Sequence, residues 1–354
     1  MKRSSVIPYL LTLLLLLAPA FVQTLAGGSG ILAWAFTIAQ AFAGWHLLVF
    51  CLMLIGILAT LSARKKLIWA WLLPATALSI YSMVSIAGPW QMGRLAADAD
   101  DKPSTGALRI LHANLYLYNS RETLPDLVQL IQQRDPDIII LHELDAPHHA
   151  FLGAELLKYP HRRINTKHPY FGSGIYSRLP LKNVQEISTR IETLVYFELE
   201  SWPLEEGCRG EPNLTVITVH PVAPFNPRIL GIHRRALDHL AHYAKPNGHE
   251  ILVTGDFNSV DWSRDMRLFQ ERTGLRKVYS DDFLRRLFRG TYSAQWPDIF
   301  RLPIDGVMLS DGLNVSGMER VDIPGSDHQG VLVDIQWPSE ANCDSLKNLQ
   351  RSRP

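Results

Sequence analysis

Two regimes of hydrophobic patterning divide the chain. From Ser4 through Ala63 no Asp, Glu, Lys or Arg occurs, and Leu67–Gly93 is again free of them. Crossing a hydrocarbon core of ~30 Å takes about 20 apolar residues. Val6–Ala26, Ala41–Ala63 and Leu67–Pro89 each meet that length, which predicts a transmembrane region of three helices within residues 1–93. Gly27–Gln40, between the first two, opens on the turn formers Gly27, Gly28, Ser29 and Gly30 and continues apolar past Trp34. It reads as a loop and interfacial segment, because Ile31–Ala63 is too long for one span and too short for two.

After Arg94 the pattern becomes that of a water-soluble fold. Residues 94–107 form a short polar linker. Strands are predicted at Leu108–Leu115, Asp137–Glu143, Gly174–Ser177, Leu194–Leu199, Leu214–His220, Glu250–Gly255, Ile304–Leu309, Leu313–Val321 and Gly330–Ile335. Helices are predicted at Glu122–Gln133, Pro227–Tyr243 and Ser263–Thr273, from apolar residues at helical spacing. Strand runs interleaved with helices predict an α/β (α+β) fold over residues 108–337, a four-layer sandwich of two packed β-sheets flanked by helices. Residues 338–354 are a polar tail.

Charge adds orientation. Lys2 and Arg3 precede the first span, and Arg64, Lys65 and Lys66 separate the second from the third. Basic flanks stay cytoplasmic, so three spans carry the chain to the periplasmic side of the cytoplasmic membrane. An even span count would reverse this. Ala18-Pro19-Ala20 also resembles a signal-peptide cleavage site, and cleavage there would leave two spans. The net charge of +1 over 354 residues averages two unlike parts and argues neither for nor against a polyanionic partner. Of three cysteines, Cys51 lies in a span, whereas Cys208 and Cys343 would be free to pair in an oxidising compartment.

Candidate chemistry gathers at the C-terminal ends of predicted strands, where side chains converge on one crevice in layered α/β folds. Asn114, Glu143 and His220 end three strands, and Asp256 and Asn258 follow a fourth within Thr254-Gly255-Asp256-Phe257-Asn258. Asp305 lies in Ile304-Asp305-Gly306, and Asp327 and His328 in Ser326-Asp327-His328. Each alone has a bland reading as a turn former or helix cap; the ordered set carries the case.

That set resembles the endonuclease/exonuclease/phosphatase family, whose fold is deoxyribonuclease-I-like. Gly255–Asn258 and Ser326–His328 match its most specific motifs, supported by Ile304-Asp305, by Gly172–Arg178 and by Asn114 and Glu143. Two departures stand out: His142 where members usually carry Gln, and Gly306 where a bulkier residue commonly follows the Asp. The resemblance implies metal-dependent phosphoester hydrolysis by in-line attack of water. Mg²⁺, or Mn²⁺, would be held by Glu143 with Asp327 and Asn114, since hard cations take oxygen ligands. Asp256 would orient and deprotonate the water, and Asn258 would bond the phosphate. His328, held by Asp305, would be charged or proton-donating, and His220 would supply a further donor.

Other residues read more plainly. His233, His239 and His242 share a helix without zinc spacing, and His148-His149 reads as a solvated helix start. Arg234-Arg235, Arg285-Arg286 and Arg289 read as solvated faces. Phe283, Leu284, Leu287 and Phe288 would form an apolar stripe if their segment were helical. The sequence thus predicts a membrane-anchored phosphoesterase whose partners are the bilayer and a phosphorylated, lipid-linked substrate. The rival readings are an extracytoplasmic nuclease acting on DNA or RNA, and a non-catalytic membrane scaffold.

Overall fold

Period-two alternation builds the catalytic part. In the computed structural model, residues 27–42, 95–97, 107–188, 191–199, 214–245, 248–280 and 290–336 are described. Apart from Ala41 and Phe42, the three predicted spans lie outside these residues, as do the cysteines, the tail and residues 281–289. Among the described residues no helix is long and apolar enough to cross a membrane.

The strands are β1 (Leu95–Ala97), β2 (Leu108–Asn114), β3 (Ile138–His142), β4 (His161–Asn165), β5 (Ser173–Ser177), β6 (Leu181–Ser188) and β7 (Glu192–Leu199). They continue with β8 (Leu214–Pro221), β9 (Glu250–Asp256), β10 (Arg276–Ser280), β11 (Asp305–Leu309), β12 (Asn314–Asp322) and β13 (Gln329–Gln336). The helices are α1 (Gly30–Ala41), α2 (Leu124–Arg134), α3 (Ala146–Glu155), α4 (Pro227–Tyr243) and α5 (Arg264–Thr273). One sheet has six strands in the order β12-β13-β2-β3-β5-β4, the other seven in the order β1-β10-β11-β9-β8-β7-β6. The parallel pairs β2–β3 and β8–β9 are each joined across a helix, and antiparallel neighbours flank them. Both sheets are therefore mixed.

Alternation sends one side of each strand to each layer. Leu108 and Ile110 of β2 join Ile138, Ile140, Val195, Phe197, Val216, Leu252 and Val307 in the core between the sheets. The opposite face of β2, Leu111 and Ala113, packs with Leu124, Leu127, Val128 and Ile131 of α2 and Leu152 of α3. Burial at i, i+3, i+4 and i+7 is why Leu124–Arg134 is a helix.

Two of the four strands absent from the sequence reading share a cause. β4 (HRRIN) and β6 (LKNVQEIS) are the outer strands of their sheets and carry polar side chains, so no apolar alternation marks them. Polar edges are how sheets avoid pairing with other chains. β1 falls inside the predicted linker and pairs in parallel with β10, which corrects the linker's first residues to strand. His148 also departs from expectation. It does start a helix, with Asp145 Oδ1 accepting from its backbone N at 2.7 Å, but its ring is buried against the same oxygen. His233 is likewise buried, its Nδ1 donating to Val222 O at 2.9 Å.

Gly27–Gln40 is corrected from a loop to the helix α1, preceded by the turn at Gly28 and Ser29. The chain divides into two compact units, and α1 belongs with residues 224–231 and 259–268 in one of them. Within that unit Trp34 Nε1 donates to Pro224 O at 2.8 Å, and Trp262 Nε1 donates to Gln40 O at 2.7 Å. Ser263 caps α5, its Oγ accepting from Met266 N at 3.2 Å. The second unit holds both sheets with α2 and α3.

Candidate active site

The core between the sheets changes character along its length. On β2 the same face runs Leu108, Ile110, His112, Asn114, and on β3 it runs Ile138, Ile140, His142. β8 repeats the change with Leu214, Val216, Thr218, His220, and β9 with Leu252, Thr254, Asp256. β11 runs the other way and begins on Asp305, directly opposite Asp256 in the ladder. One end of a single buried layer is thus apolar and the other carries the titratable groups.

At that polar end Asn114 Nδ2 donates to Glu143 Oε1 at 3.0 Å and to Asp256 Oδ2 at 3.3 Å. Glu143 Oε2 accepts from Leu117 N at 2.8 Å. Asn258 N donates to Asp256 Oδ1 at 2.8 Å, and its side-chain amide donates to Pro221 O at 2.9 Å. His328 Nδ1 donates to Asp305 Oδ2 at 2.9 Å, leaving Nε2 3.8 Å from Asp256 Oδ2 and 4.0 Å from Asp327 Oδ1. His220 Nε2 lies 3.7 Å from Asp256 Oδ2 and 3.8 Å from Glu143 Oε1. All eight residues selected from the sequence therefore meet in one pocket. Glu143 and Asn258 reach it from left-handed backbone, at φ 55° and 47°. Such conformations are uncommon outside glycine and cluster at functional sites.

Gly255 is dictated by close approach. A Cβ there would stand 2.1 Å from Val219 O of the neighbouring parallel strand. Gly306 leaves room for Lys277, whose Cε and Nζ would lie 2.7 Å from a Cβ at that position. That buried lysine occupies the place of the bulkier residue expected after the Asp. His142 also finds a structural role, its Nε2 hydrogen-bonding Thr218 Oγ1 at 2.8 Å between the two sheets. Its ring stands between His112 and His220, with centroids 5.1 and 5.2 Å away.

Further residues complete the pocket, among them Ser326, quoted from the sequence only as part of a motif. Ser326 Oγ donates to Asn114 O at 2.8 Å and accepts from His328 N at 3.0 Å, tying the last motif to the end of β2. Tyr292 lays its ring 4.8 Å from that of His328. Thr291 Oγ1 accepts from Asp305 N at 3.3 Å. Tyr292 and Thr291 lie in no periodic segment or motif, so only proximity reveals them.

Burial and neighbouring charge set the protonation states. Burial raises Glu143, against the hydrogen bonds from Asn114 and Leu117. Burial, with the charge of Asp305, pushes Asp256 up to about 8. For Asp305 burial pulls upward, but the charge of His328 and its hydrogen bond together leave the carboxyl below its ordinary value. His328 is raised to about 10; burial opposes this, and the carboxylates of Asp305, Asp256 and Asp327 overcome it. Burial, then the charge of His328, lowers His220 to about 3. The His220 contacts with carboxylates are accordingly those of a neutral ring and not ion pairs. One cationic imidazole faces a cluster of carboxylates.

Residues 111–328 match the sequence profile of the Endonuclease/Exonuclease/phosphatase family. The chain belongs to this family. It is a hydrolase acting on phosphoester bonds. No curated protein matches the chain by sequence. Among solved structures, D. rerio TDP2 complexed with single strand DNA product is similar at 15% identity and a TM-score of 0.53, over 65% of this chain and 99% of that one. An endonuclease/exonuclease/phosphatase family protein from Bacteroides thetaiotaomicron is similar at 14% identity and a TM-score of 0.52, over 68% and 98%. One from Bacteroides vulgatus is similar at 13% identity and a TM-score of 0.51, over 66% and 99%. At these identities the likeness is one of fold.

Endonuclease/exonuclease/phosphatase enzymes depend on a divalent metal, and the pocket fits one. Glu143, Asp256, Asp305 and Asp327 are largely buried together, and Asp327 Oδ1 has no hydrogen-bond partner among the described residues. Buried carboxylates at this density need a compensating cation. Asp256, Asp305 and His328 are the described residues whose candidate ligand atoms approach one another within 4.8 Å. His328 is a poor ligand, its Nδ1 being committed to Asp305 and its ring held toward the charged form by the surrounding carboxylates. The carboxylates of Glu143 and Asp327 are the better donors; Asn114, expected from the sequence as a third, turns its Nδ2 toward Glu143 and Asp256 while its Oδ1 accepts from Tyr116 N at 2.9 Å.

Proposed function

We propose that this chain is a membrane-anchored, Mg²⁺-dependent phosphoesterase whose site faces the periplasmic side of the cytoplasmic membrane, and that it hydrolyses a phosphate or diphosphate ester of a membrane lipid or lipid-linked carrier. The observation that carries the chemistry is the pairing of His328 with Asp305 in a pocket that also holds Glu143, Asp256 and Asp327. A cationic imidazole held at fixed orientation suits a phosphate group, and the carboxylates suit a hard cation.

When bound, the cation supplies positive charge to the non-bridging phosphate oxygens. The rest falls to the chain's own groups. Asp256, its carboxyl raised by burial, is a stronger base than an ordinary aspartate and is placed to orient a water and take its proton. Asn258 presents a side-chain amide beside it. His328 offers its Nε2 proton to the phosphate, while Asp305 fixes its tautomer as a carboxylate does in hydrolytic triads. Neutral His220 donates through Nε2.

Anchoring is argued from Val6–Ala26, Ala41–Ala63 and Leu67–Pro89, and orientation from Lys2, Arg3 and Arg64–Lys66. A site tethered by the short linker gains most in effective concentration for substrates confined to the same surface. A nuclease is the second reading, favoured by the exposed pair Tyr118 and Tyr170, whose hydroxyls hydrogen-bond at 2.6 Å, and by exposed Trp296. Exposed aromatics of this kind stack bases. The deciding experiment compares turnover of a lipid phosphate in mixed micelles, a soluble short-chain analogue and single-stranded DNA, each with and without Mg²⁺. Preference for the micellar substrate supports the proposal; equal or faster turnover of the analogue or of DNA defeats it.

A further inference from the structure

Helix α1 is amphipathic in the wrong sense for water. Its sequence, GILAWAFTIAQA, contains no charged residue, and its only polar side chains with hydrogen-bonding capacity besides Trp34 are Thr37 and Gln40. Those two face inward. With Ala33 they form the buried stripe, at spacings of four and three, and are 7% and 1% exposed. The backbone O of Gln40 accepts from Trp262 Nε1, and its Oε1 accepts from Arg264 N at 3.4 Å.

The outward side carries Ile31, Leu32 and Ala35. Ile31 is 68% and Leu32 62% exposed. Phe225, 70% exposed, directly follows Pro224, the residue that accepts the indole of Trp34 one helical turn beyond Ile31. A surface helix in water shows the opposite arrangement, polar outward and apolar inward. Here the apolar face looks out.

We infer that the outward face of α1, with Phe225, is seated in the interfacial zone of a lipid bilayer. This rests on the membrane-anchored reading above and adds to it a surface of contact. Three observations select lipid as the occupant. The helix has 12 residues, so it is about 18 Å long and cannot cross a ~30 Å core, but it suits a position along the interface. It is delivered by charge-free apolar stretches of span length on both sides, Val6–Ala26 and Ala41–Ala63. Cations stand in the same unit: Arg228 is exposed, and Arg264 lies against the approach to the helix, where a Cβ at Gly27 would come within 2.6 Å of its guanidinium. Apolar side chains beside arginines match acyl chains beneath headgroup phosphates.

The test uses the full chain with Cys51, Cys208 and Cys343 replaced by serine, and with Ala35→Cys or Leu32→Cys labelled with an environment-sensitive fluorophore. The protein is reconstituted in phosphatidylethanolamine–phosphatidylglycerol vesicles, with or without phospholipid brominated near the headgroup end of its acyl chains. A label at exposed Glu122→Cys serves as the aqueous reference. Labels at both α1 positions should be quenched several-fold more by brominated lipid than the reference, and should be shielded from aqueous iodide. Iodide quenching equal to the reference overturns the inference. Cross-linking between two copies through Ala35→Cys, without quenching by brominated lipid, overturns it in favour of a second chain. Carbonate extraction separates the two levels. If the chain stays in the membrane while both labels meet iodide, this contact fails and the anchored reading stands; if the chain is extracted, both fail.

Discussion

Asp305 and His328 form a buried pair in which Oδ2 accepts from Nδ1 at 2.9 Å, and the free Nε2 points toward Asp256, 3.8 Å away. The pair bridges β11 and the turn before β13, so neither strand alone makes it. A histidine held this way acts as one unit with its carboxylate. Asp305→Ala and His328→Ala should each lower kcat/KM by on the order of 10²–10⁴, the usual scale of acid–base contributions. The double variant should be little worse than either single variant, since members of a unit are strongly non-additive. Steady-state kinetics of the three variants measure this, and additive losses would show two independent roles.

Glu143 contributes a carboxylate from strained backbone, with one oxygen held by Asn114 and the other by Leu117 N. Glu143→Gln preserves the shape and removes the charge. Mg²⁺-dependent turnover should fall by on the order of 10²-fold, the scale of losing one preorganised electrostatic contact. In chelator the thermal midpoint should change little, because neutralising one buried carboxylate is offset by losing one of the two hydrogen bonds it accepts. Undiminished turnover in chelator would remove the metal from the mechanism.

Stability without metal should depend on pH with a definite sign. His328 is raised from 6.5 to about 10, so its contribution is complete below pH 6.5 and is lost as pH rises through 10. Asp256, raised from 3.8 to about 8, acts in the same direction and is lost as pH rises through 8. The melting temperature in chelator should therefore fall between pH 6.5 and 10. Asp305→Asn should flatten that slope, because the partner that raises His328 has lost its charge. A melting temperature that climbs across this window would contradict the assigned charge states.

Topology is open to direct measurement. A reporter active only outside the cytoplasm, fused after Asp101, should be active if Lys2, Arg3 and Arg64–Lys66 stay inside. Activity of a cytoplasmic reporter at the same point would reverse the orientation and the localisation together.

By itself the sequence determined the candidate site residues and the layering. Asp256, Asn258, Asp327 and His328 are legible because each sits in a short motif at a strand end, where local chain direction already aims the side chain. The apolar runs of β2, β3, β8 and β9 are legible because strands buried on both faces must be apolar throughout. Edge strands β4 and β6 were not, since their polar residues satisfy water on the outside and leave no periodic mark. Ser326 and Tyr292 join the site through contacts with Asn114 and His328, which lie far away in the chain. The helical state of Gly30–Ala41 was also decided in three dimensions: Trp34 and Trp262 fix it by hydrogen bonds to Pro224 and Gln40 that span 190 and 222 residues of sequence. Local pattern records what a residue prefers, and only the packed chain supplies the partners that override it.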